Sequence, residues 1–341
     1  MIRSPLAHKF CLTSTWLLFI FQIFFIKAMA MQIEQPEYYL KLDMHSFPRT
    51  LVINGVIIEK DLSGRGSSSS QFPINHWIKK GENTLELHYG PEKFIKKRTN
   101  EHSRCGVSVW VKGKVEGKTV KHKIADLTYT PNYDIPLNER YKDSMPAGHY
   151  IYNVESPKTT SEKGDFVIGE IKADSDKFAQ KGNRIYRTFT ADVPFPEWSF
   201  FSADKIFEYP MTSEKFADMN VKTWPMVVEL WDLIETKKMD KILPLFETRS
   251  KELDIAFYRE PGYSIESFEH DLKNVFDKGY PLDRLESNKM QLVVSYNEKL
   301  VTKVNAGSGN GTLLFYDKTD NTYTFFNVVW MKKDGKWIII R

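Results

Sequence analysis

The sequence predicts an α+β protein in two parts, an N-terminal antiparallel β-sandwich followed by a C-terminal domain of helices on a curved sheet. Three observations carry this reading. From Tyr38 to about Asp192, short runs rich in Val, Ile, Tyr and Thr are broken by Gly, Asn, Asp and Pro at intervals of about ten residues. At Thr212 the apolar period changes from two to 3.6. After Pro281 the strand pattern returns and continues to the C-terminus. The 341 residues leave room for two domains, each with its own core. At 41% hydrophobic and 14% aromatic residues the body is globular, which excludes disordered, collagen-like and multi-span membrane classes.

Ahead of the first strand lies a leader. Met1 to Lys9 is short and basic, Cys11 to Ile26 carries a nearly unbroken apolar run from Trp16, and Lys27-Ala28-Met29-Ala30 follows. The run is short for a bilayer span, which needs about 20 residues, and Ala28-x-Ala30 offers small side chains that a signal peptidase pocket accepts. Residues 1–30 therefore read as a signal peptide cleaved after Ala30. An uncleaved N-terminal anchor and a start at Met29 or Met31 are the alternatives. Cys11 precedes the apolar run, which argues against a lipid anchor. Three of the 48 basic residues (Arg3, Lys9 and Lys27) sit in this leader with no acid beside them. The net charge of +4 thus belongs to the leader, and the remaining 45 basic and 44 acidic residues balance. That balance gives no drive toward nucleic acid or anionic lipid. Cys105 is then the one cysteine of the mature chain, so no internal disulfide forms and the fold must rest on its core, which suits a bacterial envelope protein.

The expected sandwich spans residues 31–210. Leu51-Val52-Ile53-Asn54-Gly55-Val56-Ile57-Ile58 sets Asn-Gly between two apolar runs, the cheapest pair for a tight hairpin. Val109-Trp110-Val111, Lys112-Gly113-Lys114-Val115 and Lys118-Thr119-Val120 repeat the hairpin pattern. Gly64 to Ser70 and Pro157 to Gly164 read as polar loops. The C-terminal domain is expected over residues 211–341. Thr223 is a candidate N-cap with Pro225 just inside, ahead of an apolar face of Val227, Val228, Leu230, Trp231 and Ile234. Further helical segments carry Ile242, Leu245 and Phe246, then Leu253, Ala256 and Phe257, with a bend near Pro244. Ser264 opens another, through Ile265, Phe268, Leu272, Val275 and Phe276, until Gly279 stops it. Strands follow at Met290 to Val304, Thr312 to Tyr316, Tyr323 to Met331 and Trp337 to Ile340, with turns at Lys318 to Asn321 and Lys332 to Gly335.

Phe72-Pro73-Ile74-Asn75-His76-Trp77-Ile78-Lys79-Lys80-Gly81-Glu82-Asn83-Thr84-Leu85-Glu86-Leu87 resembles the apolar, then Lys/Pro-Gly-x-Asn-x-Leu stretch of jelly-roll sandwiches of the galactose-binding-like kind. The likeness covers some sixteen turn-forming residues and implies the sandwich, not a sugar ligand. From Thr212 to Arg341, helices followed by a sheet ending in Phe325 to Ile340, with a Lys-Asp-Gly turn before a Trp-containing strand, resemble the nuclear-transport-factor-like (SnoaL-like, cone-shaped) fold. That resemblance implies a pocket between helices and sheet, catalytic in some members and purely binding in others.

Chemistry-bearing patterns are sparse. Gly307-Ser308-Gly309-Asn310-Gly311 has strands on both sides, not the strand-to-helix setting of a nucleophile elbow or a phosphate loop. Seven histidines follow the leader with no two within five residues, and no Cys-x-x-Cys pair exists, so no metal or cofactor is expected. His270 lies off its helix's apolar face, and Asp232 and Glu235 read as solvated charge. Cys105 reads as core, and the basic run Lys93 to Arg104 as a solvated loop, with phosphate or acidic-partner docking the lesser reading. Trp224, Trp231, Tyr316, Phe326 and Trp330 are the candidate pocket-lining residues of the C-terminal domain. Trp77 and Trp110 are the candidates for stacking on a ligand, against a packing role. The expectation is a periplasmic or secreted, non-catalytic protein-binding protein, such as an envelope immunity or inhibitor protein that covers a bacterial effector, its partner another protein. An enzyme with its pocket in the C-terminal domain and a carbohydrate-binding envelope protein are the alternatives.

Overall fold

The computed structural model describes residues 33–61, 63–150, 166–176, 182–208, 211–295, 297–305 and 311–341. The leader, the break at 157–164 and residues 307–310 lie outside the described residues. In chain order the first strands are β1 (Glu34–His45), β2 (Arg49–Ile53), β3 (Val56–Asp61), β4 (Ser67–Pro73), β5 (Gly81–Tyr89), β6 (Arg104–Val115), β7 (Lys118–Tyr129), β8 (Gly148–Tyr150), β9 (Phe166–Ile168), β10 (Lys172–Asp176) and β11 (Gly182–Ala191), with a short helix α1 (Glu92–Lys96) after β5. One antiparallel sheet has the order β4-β1-β6-β7; the second has the order β3-β2-β5-β11-β9-β8, with β10 also on β11.

Alternation sets the inner faces. Tyr38, Leu40, Leu42 and Met44 of β1 and Cys105, Val107, Val109 and Val111 of β6 are buried, and Leu85, Leu87, Ile185 and Phe189 of the second sheet join them in one cluster. Burying each such large side chain contributes about 1.5–3 kcal/mol. Burial also pushes the Cys105 thiol up to about 12, so it is protonated core. Asn54 and Gly55 take φ of 51° and 76°, as a tight hairpin requires, and the next hairpin turns at Glu116-Gly117 with φ of 51° and 77°. The Gly-Ser run departs from the loop expectation: Ser67 to Ser70 lie in β4, paired with β1. Backbone pairing overrides the weak strand propensity of serine there, and a short polar strand suits a sheet edge.

The C-terminal part holds α2 (Ser213–Glu235), α3 (Met239–Leu245), α4 (Glu247–Ala256) and α5 (Tyr263–Asp277), then β12 (Met290–Val294), β13 (Leu300–Asn305), β14 (Leu313–Asp317), β15 (Thr322–Phe326), β16 (Val329–Lys333) and β17 (Lys336–Ile339). Helix α2 begins a full three turns before the expected cap. Thr212, not Thr223, is the N-cap, its side chain accepting from the Lys215 N–H. Thr223 sits mid-helix and bonds the Met219 carbonyl at 2.8 Å, while Pro225 is carried inside. Pro225 leaves the Val221 carbonyl without its helical donor, which is tolerable because Val221 is 70% exposed and water can serve it. The six last strands do not make one sheet: β12-β13-β16-β17 form four-stranded pairing, and β14-β15 a separate pair. The break falls between Phe326 and Val329, where the expected strand from Tyr323 to Met331 divides. A second apolar cluster includes Val227, Leu230, Phe246, Leu272, Phe315 and Trp330. Among the described residues no helix is long and apolar enough to cross a membrane.

The two clusters meet on β13 and β16, whose Leu300 and Met331 belong to the first while Val301 and Trp330 belong to the second. Ala256, Leu300, Met331 and Ile340 belong to the core of the N-terminal sheets. Asn75, wholly buried, donates from Nδ2 to the carbonyls of Ala256 (2.6 Å) and Pro36 (3.1 Å), and accepts the Tyr38 N–H on Oδ1 (2.5 Å). The Glu252 carboxylate accepts the Ser199 N–H (2.7 Å) and pairs with Arg341 (2.8 Å), whose guanidinium also reaches the His76 carbonyl (2.6 Å) and lies 4.5 Å from the Trp77 ring centre. Helix α4 is thereby fixed to the N-terminal sheets along one stripe.

Candidate functional site

The opposite stripe of α4 forms one wall of a cavity of about 460 Å³. Glu247, Ser250, Lys251, Asp254 and Ile255 recur at the three- and four-residue spacing of one helix face. The second wall is the loop into α5 and its first turn, with Arg259, Pro261 and Ile265. Asp254 sets the distance between the walls. Its two carboxylate oxygens accept the N–H groups of Gly262 (2.9 Å) and Ser264 (2.8 Å), which open α5. Gly262 is the N-cap residue at φ 97° and has no side chain to cap with, so a carboxylate from the neighbouring helix supplies the anion that free N–H groups attract.

The cavity lining is apolar apart from a few placed groups. Ile255, on the lining, is 47% exposed. Ser250, buried on the α4 stripe, has no hydrogen-bond partner for its hydroxyl. Arg259 donates to Ser264 Oγ (3.0 Å) and lies 5.2 Å from the ring centres of both Phe257 and Tyr263. Lys251 is paired with Glu247 at 2.6 Å. Among the described residues neither Arg259 nor Arg249 has a carboxylate within ion-pair distance. Arg249 is held down to about 10, first by burial, then by the positive charges of Arg341 and Arg259. The same three guanidinium groups, after burial, drive His76 far below its ordinary range, so it is neutral.

The residues singled out from sequence are distributed elsewhere. Trp330 lines a cavity of about 230 Å³ with Met226, Leu230, Pro244, Leu245 and Trp337. Trp231 donates to the Asp283 carbonyl, Tyr316 bonds Asn321 and packs on Tyr323, and Phe326 packs among Phe268 and Phe315. Trp224 faces Lys303, whose amine lies 5.2 Å from its ring centre. Lys303 is buried and lowered to about 8 by desolvation. Trp77 is buried against Phe200 under Arg341, inside the junction. Trp110 lies flat beside Tyr39 on the outer face of β6, with the Lys121 amine over both rings, and borders a cavity of about 200 Å³ with Lys41, Ser108 and Lys123. The Lys93 to Arg104 run is α1 and the loop into β6. His270, Asp232 and Glu235 are exposed. Among the described residues no group of three or more His, Cys, Asp or Glu is placed to hold a metal ion.

Sequence reasoning missed Ser250, Asp254, Ile255 and Arg259. One signal was present: Ile255 is apolar yet lies off the inward face of Leu253, Ala256 and Phe257. Comparison with protein-family models, with curated proteins and with solved structures found no match.

Proposed function

We propose that this chain is an exported, non-catalytic protein-binding protein, and that its partner docks in the groove between α4 and α5. The carrying observation is the cavity of about 460 Å³ with Ile255, 47% exposed, on its lining. A preformed concavity with an exposed apolar side chain on its wall is the kind of surface that binds partners. The leader supports export, and an envelope immunity or inhibitor role follows from combining export with a rigid binding surface. Two antiparallel sheets around one core support the sandwich reading, and helices packed on a C-terminal sheet support the cone-like one. The test is capture from producing cells, comparing the native chain with Ile255→Glu and with Val221→Glu, an exposed apolar position on α2. A stoichiometric partner lost with the first variant and kept with the second supports the reading. A partner insensitive to Ile255→Glu, or none at all, refutes it.

A further inference from the structure

Apart from the α4/α5 groove, we infer that the outer face of the first sheet carries a second binding site, a shallow trough along β6 that takes a neutral oligosaccharide. Strand register builds it. Three rungs cross β1, β6 and β7 there: Asp43-Gly106-Thr128, Lys41-Ser108-Asp126 and Tyr39-Trp110-Lys123. Side chains two apart on a strand share a face, so between the longer side chains of β1 and β7 the middle strand offers only a hydrogen at Gly106 and a hydroxymethyl at Ser108. The result is a concavity of about 200 Å³, floored by those two residues and bordered by Trp110. The trough runs on past Asp43, which also borders a concavity of about 470 Å³ with Arg104 and His45. From Arg104 to Trp110 is six strand steps, about 20 Å, which suits a short chain of sugar rings rather than one.

The lining selects the ligand's chemistry. The smaller concavity has two carboxylates, Asp43 and Asp126, and two amines, Lys41 and Lys123. Lys123 pairs with Asp126 at 2.8 Å, and Asp43 with Arg104 at 3.3 Å, so a ligand of either sign meets repulsion as well as attraction. Hydroxyl groups gain from the same mixture, because each one donates and accepts, while a carboxylate only accepts and an ammonium only donates. Both kinds of partner stand in solvent: Lys41 is exposed, and the Asp43 side chain is 61% exposed. Val107 turns its side chain to the core, so the apolar surface left is the half-buried Trp110 ring. That ring is held parallel to Tyr39 within 8° and tethered by its N–H to Ser108 Oγ at 2.8 Å. The C–H face of a pyranose packs on one such ring while its hydroxyls reach the charged flanks, whereas an apolar side chain would find no second wall.

The test titrates the full chain with neutral tetrasaccharides (cellotetraose, maltotetraose and chitotetraose), with anionic tetragalacturonate and with the cationic, deacetylated chitosan tetramer, followed by amide NMR shifts. The expected result is that at least one neutral probe binds about tenfold or more tighter than either charged one, with shifts at Gly106, Ser108 and Thr128. A Cβ at Gly106 would lie 3.4 Å from the Asp43 carbonyl oxygen and 4.0 Å from Thr128 Oγ1, which is ordinary contact, so a side chain fits there and fills the floor. Gly106→Val should therefore weaken the neutral probe at least about tenfold without lowering the melting temperature, since valine favours a strand. Trp110→Ala should weaken it as much, and Ile255→Glu, in the other groove, should leave it unchanged. No shift with any neutral probe at about 10 mM overturns the inference. So does a charged probe that binds as tightly as the neutral ones, or neutral binding that survives Gly106→Val. None of these results bears on the α4/α5 groove, which stands or falls with the Ile255→Glu capture.

Discussion

Asn75 offers the most direct measure of how firmly the two parts are joined. It bonds three backbone groups with one amide, two of them 37 and 181 residues away in sequence. Asn75→Ala strips the partner from the Tyr38 N–H and the Ala256 carbonyl, while the Pro36 carbonyl keeps the Tyr258 hydroxyl at 3.2 Å. Two buried groups left unpaired at about 1–3 kcal/mol each give a loss of about 2–6 kcal/mol, and partial relaxation places the expected value near 3 kcal/mol. For a chain of this size that corresponds to a fall of about 4 °C in Tm. Urea unfolding followed by tryptophan fluorescence suits the site, since Trp198 donates to the carbonyls of Asn75 and Ile78 and reports the junction directly. Asn75→Asp keeps the shape but turns an oxygen toward two carbonyls, and should cost more than Asn75→Ala. A loss below about 1 kcal/mol for Asn75→Ala, or an aspartate variant as stable as the native chain, would refute the reasoning.

Three further outcomes are expected. Arg49, with its side chain 1% exposed, pairs with Glu59 (2.8 Å) and Asp61 (3.2 Å), so Arg49→Met should cost about 3 kcal/mol by calorimetry at pH 7, and less in acid, where Glu59, already pushed up by burial, is protonated. Burial lowers His122 to about 4, so the unfolded chain takes up a proton near 6.5 that the folded chain refuses. Stability should therefore fall by on the order of 1–2 kcal/mol as pH drops from 7 to 5, and His122→Gln should flatten that slope in urea midpoints. Gly55 stands at φ 76° with Asn297 against it, where a Cβ would lie 2.7 Å from the Asn297 nitrogen. Gly55→Ala should cost at least about 1–2 kcal/mol, and hydrogen exchange should rise at Asn297, whose N–H bonds the Gly55 carbonyl.

What the sequence disclosed followed from local physics. The Asn54-Gly55 and Asp334-Gly335 turns were legible because both residues of each take positive φ, which few dipeptides accept. The end of α5 at Gly279 was legible for the same reason, with φ 66°. Thr223 misled because a Thr two residues before a Pro is a good cap in isolation; α2 keeps its helix through Pro225 by turning the orphaned carbonyl to solvent, a tertiary circumstance. The polar strand β4 was illegible because a sheet edge asks only for backbone pairing. The groove was illegible for a deeper reason. Asp254 and the N–H groups it caps lie across a loop, and the stripe of α4 that faces the N-terminal sheets is fixed by Asn75 and Arg341, far away in the chain. Only Ile255, apolar where the helix pattern wants a polar residue, announced a surface with a use.

That arrangement ties the groove to the junction. Helix α4 presents Glu252 and Ala256 to the N-terminal sheets and Ser250, Asp254 and Ile255 to the groove, so releasing one face loosens the other. A ligand that needs the assembled groove must then stabilise the junction by linkage. At a hundredfold excess over its Kd the gain is about 2.7 kcal/mol, close to the loss expected for Asn75→Ala. The captured partner at saturating concentration should accordingly return most of the lost midpoint to Asn75→Ala, though a groove occupant touches nothing within the N-terminal sheets. It should bind that variant more weakly than the native chain, because part of its binding energy is spent on reordering α4. Equal affinity for both chains would show that the groove stands independently of Asn75, and that α4 holds its place against α5 through Asp254 alone.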